Sequence, residues 1–123
     1  MKAKELRIGN YVNYICIAMD INEPIYRIEN GADIQVHQNH NLFKPIPLTE
    51  QWLKDFGFKK CNRTNFKACY ETKNKKYIFQ FAQNGLLVLI DCGNFFEIIT
   101  AVEYVHQLQN FYFVLTGNEL TKQ

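Results

Sequence analysis

Serine is missing from all 123 residues. Its absence removes every serine-nucleophile hydrolase and every phosphoserine switch, leaving threonine and cysteine as the hydroxyl and thiol nucleophiles. Proline (3) and glycine (6) are sparse, which excludes collagen-like and low-complexity chains. No apolar run approaches the length of a membrane span. The basic residues between Met1 and Arg7 have no apolar stretch behind them, so a signal peptide does not fit either. The four cysteines, Cys16, Cys61, Cys69 and Cys92, are therefore read as reduced thiols in the cytoplasm. On the same ground the sequon Asn62-Arg63-Thr64 carries no glycosylation meaning.

Phosphate-binding signatures are missing as well: there is no G-x-x-x-x-G-K-[ST] and no G-x-G-x-x-G. His37 and His40 have an H-x-x-H spacing, but no C-x-x-C accompanies it, and they are read as loop histidines rather than metal ligands. None of the three histidines is followed two places on by a hydroxyl residue, which excludes a paired-histidine phosphodiesterase. Neither a metal nor a cofactor is implied.

What is present is apolar and aromatic. Hydrophobic residues make up 47% of the chain and aromatics 15%, with 21% charged, the balance of a globular protein expected to form one domain over 1–123. The net charge of +2 hides an asymmetry: residues 1–58 sum to −1, 59–76 to +6 and 77–123 to −3. Seven of the basic residues, Lys59, Lys60, Arg63, Lys67, Lys73, Lys75 and Lys76, lie in the middle segment against Glu71 alone. On a shared face they attract anions.

Residues from Arg7 to Met19, rich in Ile, Val and Tyr, predict a long or bent strand. Asn30-Gly31 between Ile25–Glu29 and Ala32–His37 predicts a hairpin closed by a type I′ turn. Thr49 as N-cap, Glu50 in the first turn, Leu48 placed to staple onto Leu53, and Gly57 as a stop define a short helix carrying Trp52, a lid on a sheet. Residues 68–99 read as a four-stranded antiparallel meander. With Asn84-Gly85 as turn, Phe81 faces Val88 and Phe79 faces Ile90, and both faces of the sheet are apolar enough to need cover. Thr100 and Glu103 form a capping box for a helix from Ala101 to Thr116, stopped by Gly117. Its polar stripe, Glu103, His106, Gln107 and Asn110, is read as solvated, with no nucleophile placed near His106. The fold class is α+β: an antiparallel meander with the C-terminal helix packed on it, one short helix, and an N-terminal β part compatible with an SH3-like barrel.

Three phrases stand out: Glu5-Leu6-Arg7-Ile8-Gly9-Asn10-Tyr11-Val12; Lys44-Pro45-Ile46-Pro47-Leu48-Thr49-Glu50-Gln51-Trp52-Leu53 running to Phe58; and Tyr104-Val105-His106-Gln107-Leu108-Gln109-Asn110 running to Gly117. Together they resemble a group of small uncharacterised proteins carried by phages and mobile elements of Bacteroides-type bacteria. The resemblance covers under half of the chain and brings no catalytic or binding residue with it. It implies a small accessory protein made inside a bacterial host, of the kind that binds something: a nucleotide signal of host immunity, or a host protein.

The basic segment supplies the ligand site to be expected. Arg63, Lys67, Tyr70, Lys75, Lys76 and Tyr77 combine phosphate pairing with base stacking. The competing reading is a hairpin kept soluble by lysines at its edges. Duplex DNA is disfavoured, since no basic recognition helix is present. The expectation is a non-catalytic binder of a phosphate-bearing small molecule such as a signalling nucleotide. The alternative is an adaptor or inhibitor that places Phe111 and Phe113 of its apolar C-terminal helix against a host or phage protein. A small hydrolase using Cys or Asp is the least supported. The apolar helix and doubly apolar sheet predict a homo-oligomer whose interface includes Tyr104, Leu108, Phe111 and Phe113.

Overall fold

The computed structural model describes residues 1–15, 25–40, 42–61, 69–72, 76–82 and 85–123. In chain order the elements are β1 (Tyr11–Tyr14), β2 (Ile25–Arg27), α1 (Gly31–His40), β3 (Phe43–Lys44), α2 (Glu50–Asp55) and β4 (Lys59–Lys60). There follow β5 (Cys69–Glu71), β6 (Tyr77–Ala82), β7 (Gly85–Asp91), β8 (Phe96–Val102) and α3 (Val105–Thr116). Among the described residues, two antiparallel sheets and three α-helices make this an α+β protein with a C-terminal helix. Among the described residues no helix is long and apolar enough to cross a membrane. The chain divides into two compact units, Met1–Pro47 with Tyr104–Leu120, and Leu48–Glu103 with Thr121–Gln123.

In the first unit β1 is the centre of a three-stranded sheet, flanked by β2 and β3. Leu6, Val12, Ile28 and Phe43 form its buried cluster, and Tyr26 stacks on Phe43 at 5.6 Å. The predicted Asn-Gly hairpin is corrected here, because Gly31 opens α1 instead of turning a strand. The Oδ1 of Asn30 accepts the Asp33 amide at 3.1 Å, while Asp33 Oδ2 accepts the amides of Glu29 (3.1 Å) and Asn30 (3.4 Å). This is a reciprocal capping box with Asn at the N-cap and Asp at N3. Three strands and α1 stand where an SH3-like curl was compatible with the sequence.

The start of α3 is corrected as well. Thr100 and Val102 pair with Val88 and Leu86 in the sheet, and the ladder with burial of Val102 outweighs the local capping box. The helix begins four residues later than expected. The Tyr104 amide donates to the Gln107 side chain at 3.2 Å and the Val105 amide to the Ile46 carbonyl at 2.9 Å. It ends where predicted, at Gly117, whose φ of +75° is left-handed.

The second unit holds a five-stranded antiparallel sheet in the order β4-β5-β6-β7-β8, one strand more than expected. The observed register pairs Phe79 with Val88 and Tyr77 with Ile90, a slip of two residues from the predicted one. Gly85 lies in the ladder opposite Ala82 rather than in the turn. A Cβ there would stand 3.0 Å from the Val102 carbonyl oxygen, so close approach of β8 accounts for the glycine. An even slip keeps every side chain on its face. One face, with Tyr70, Tyr77, Phe79, Leu86 and Val88 buried, meets the segment around α2. Phe58 packs on Phe79 at 4.7 Å, and the Tyr70 hydroxyl donates to Glu50 at 2.7 Å. Full burial of one such side chain contributes roughly 1.5–3 kcal/mol. α2 ends as predicted at Gly57, through Gly57 to Lys54 and Phe58 to Leu53 amide–carbonyl bonds.

Candidate functional site

Of the residues expected to hold a phosphate-bearing ligand, Arg63, Lys67 and Lys75 lie outside the described residues. Lys76 is exposed, its Nζ 5.5 Å from the centre of the Tyr77 ring. Lys59 and Lys60 on β4 are also exposed, and β5 lies between them and β6, which Lys76 immediately precedes. The two tyrosines differ from the expectation. Tyr70 is fully buried and Tyr77 nearly so, because the face they share is the one covered from the α2 side. Burial, then the hydrogen bond to Glu50 and its charge, push the Tyr70 hydroxyl up to about 12. Its ring is a core group and offers no stacking surface to a ligand.

The expected interface on α3 is likewise divided. Leu108 is fully buried, which leaves its side chain no surface for the subunit contact expected of it. Tyr104 and Phe111 are half-buried. Phe113 is exposed with the Arg7 guanidinium 4.3 Å above its ring, and Val114 beside it is 79% exposed.

The stripe read as solvated is a binding edge for the chain's own N-terminal segment. Asn110 Oδ1 accepts from Arg7 Nη1 (2.8 Å) and Asn10 Nδ2 (2.9 Å), and its Nδ2 donates to the Glu5 carbonyl (2.7 Å). Arg7 also pairs with Glu119. His106 is buried, its Nε2 lies 3.6 Å from a Glu5 carboxylate oxygen, and neither ring nitrogen has a hydrogen-bond partner among the described residues. Burial holds its pKa below the ordinary imidazole value against the pull of Glu5. The site can take up one proton, and no nucleophile stands beside it among the contacts described. His37 is buried on α1, donating from Nε2 to the Met1 carbonyl (2.9 Å) and accepting the Phe43 amide at Nδ1 (3.0 Å). Both nitrogens are thereby engaged. Among the described residues no three His, Cys, Asp or Glu side chains cluster as metal ligands.

Two features escaped the sequence reading. On the second face of the larger sheet an apolar row crosses three strands, Ile78 opposite Leu89 opposite Ile98. Exposure along it rises from 0% to 8% to 57%. The row runs out at β8, the edge strand of the described sheet, where Ile99 is exposed too, as is Phe95 just before the strand. A two-residue register error hid this alignment. The second feature is the meeting of Cys61 with Cys69, whose sulfurs stand 2.7 Å apart. Its signal was the basic, strand-forming stretch before Cys61, which pairs back onto the stretch after Cys69.

Comparison with protein-family models, with curated proteins and with solved structures finds no match to this chain.

Proposed function

We propose that the protein is a non-catalytic binder that docks a second polypeptide chain as an added strand along β8. The observation that carries this reading is the unfinished row Ile78–Leu89–Ile98. A strand added outside β8 would continue it and cover Ile98 while pairing the backbone groups of the edge. Natural edges are commonly guarded by lysine, proline or a bulge. β8 carries neither lysine nor proline between Phe96 and Val102, and it is guarded by Glu97 and by the irregularity opposite Val88 and Leu89. The resemblance of the three phrases to phage and mobile-element proteins favours an accessory role in a bacterial cytoplasm, as adaptor, inhibitor or self-assembling subunit.

A photo-crosslinking residue in place of Ile98, expressed in a bacterial host, tests the reading. We expect one dominant adduct that is missing when the same residue replaces Asn118, which is exposed in the other unit. An adduct of twice the chain mass identifies a second copy, and another mass identifies a different protein. No adduct at position 98 sinks the reading.

A second reading, capture of a phosphate-bearing ligand such as a signalling nucleotide, is favoured by the exposure of Lys59, Lys60 and Lys76 within the +6 segment. It requires phosphate pairing without Tyr70. Calorimetry with a nucleotide panel should then give heat that Lys76→Glu weakens. Absence of heat with every nucleotide removes it.

A further inference from the structure

We propose that Cys61 and Cys69 are a reversible redox pair that exchanges with small disulfides of the glutathione type. The register Lys59 opposite Glu71 and Lys60 opposite Tyr70 brings residue 61 opposite residue 69. The Cys61 amide donates to the Cys69 carbonyl at 2.9 Å. Residues joined in this way across an antiparallel pair have Cα atoms about 5.5 Å apart, inside the window a disulfide spans. The sulfurs are at 2.7 Å, about 0.7 Å beyond the length of a formed bond.

The two thiols are inequivalent, which assigns their roles. Cys61 is partly exposed and follows the exposed Lys59 and Lys60, whereas Cys69 is buried against Ile78 and Leu89. Glutathione disulfide is an anion at neutral pH, so the lysines draw it to Cys61. The Cys61 thiolate attacks one sulfur of the small disulfide and a glutathione thiolate leaves. The Cys69 thiolate then attacks the Cys61 sulfur and displaces the second glutathione thiolate. The two protons given up by the protein thiols go to the two leaving thiolates. Two protein thiols are oxidised to one disulfide, and one glutathione disulfide is reduced to two glutathione molecules. The consequence is mechanical: β4 pairs with β5 through two residues, and oxidation fastens that edge covalently.

The test uses the whole chain, reduced and then equilibrated across a series of reduced and oxidised glutathione mixtures. After blocking of remaining thiols it is digested with trypsin. Cleavage after Lys60, Arg63, Lys67 and Lys73 leaves Cys61 in peptide 61–63 and Cys69 in peptide 68–73. We expect these two peptides linked in oxidising mixtures and separated again by reduced glutathione, with alkylation of both thiols falling together by about ten-fold or more. Exchange of the Cys61 amide should slow in the oxidised form. A C16A/C92A variant should behave identically, and if it does not fold the peptide map of the unaltered chain still decides. Full alkylation of both thiols in oxidised glutathione alone overturns the proposal. So does a glutathione adduct on Cys61 that is never displaced, or a link joining Cys16 or Cys92 to either partner.

Discussion

Gln109 on α3 holds the backbone of Tyr11 and its neighbours: its Oε1 accepts the Tyr11 amide at 2.8 Å, and its Nε2 donates to the carbonyls of Gly9 (2.9 Å) and Leu120 (3.1 Å). The side chain is fully buried. Three backbone groups of one unit therefore share a single carboxamide, the Gly9 carbonyl also accepting from Arg27 Nε at 3.4 Å, and its loss leaves buried polar groups short of a partner. Gln109→Leu should destabilise the protein by about 2–4 kcal/mol, since each buried group left unpaired costs roughly 1–3 kcal/mol and some will relax. Gln109→Glu should cost more, because it faces two carbonyl oxygens with a carboxylate. Denaturant midpoints at neutral pH measure both, and a Gln109→Glu variant as stable as the parent would refute the account.

The capping box at the start of α1 gives a second expectation. Asn30→Ala removes the acceptor of the Asp33 amide, and Asp33→Ala frees the amides of Glu29 and Asn30 together with the Tyr26 hydroxyl, which donates to Asp33 at 3.1 Å. The first should cost about 1 kcal/mol. The second should cost more, and double-mutant coupling between them should be measurable by thermal unfolding.

Why Asn30-Gly31 misled while Gly57 and Gly117 did not is a matter of how local each signal is. A glycine that stops a helix acts within its own turn, and the apolar residues before it already show a helical pattern. Asn-Gly serves equally as a two-residue turn and as N-cap and first helical residue. What separates the two is Asp33, three residues after Asn30, a reciprocal partner that a strand pattern conceals. The faces of the larger sheet were legible because an even slip preserves them. The fifth strand was not, for β4 is two lysines whose pairing with β5 is settled by distant contacts. The same limit applies to the site. Lysine exposure followed from charge, but burial of Tyr70 depended on which face α2 covers. His106 and Asn110 look like part of a wet stripe until the segment from Glu5 to Tyr11 is laid along it.

The helix stops themselves can be compared. Gly57 and Gly117 have φ of +90° and +75°, and alanine at either should cost roughly 1–2 kcal/mol from the left-handed backbone alone. At Gly117 no atom lies within 4 Å of the added Cβ, whereas at Gly57 it would meet Gln123 Cγ at 3.0 Å. Gln123 is tied there by the hydrogen bond its backbone amide donates to the Asp55 carbonyl. Gly57→Ala should therefore be the more destabilising, and Gly57→Ala in a chain ending at Lys122 should fall back to the Gly117→Ala value in the same denaturation assay.

His106 gives the protein an acid sensitivity whose sign follows from its burial. In the unfolded chain the imidazole takes its proton near 6.5, while in the folded protein burial lowers that value, with Glu5 opposing. Above 6.5 both states hold neutral His106 and the pH matters little to it. Below 6.5 the unfolded chain binds a proton that the folded one refuses, so stability falls with pH until the folded-state value is passed. The slope cannot exceed about 1.4 kcal/mol per pH unit for one proton. Glu5 acts lower: the Lys2 backbone amide, first, and then His106 hold its carboxyl below 4.5. Its contribution is whole above 4.5 and is lost as pH falls through the folded value. Between 6.5 and 4.5 the difference between parent and His106→Leu therefore isolates the histidine. Denaturant unfolding at intervals across that window should show the parent losing stability faster than the variant. Parallel curves would place the loss elsewhere and show that His106 is protonated as readily in the folded protein as in the unfolded chain.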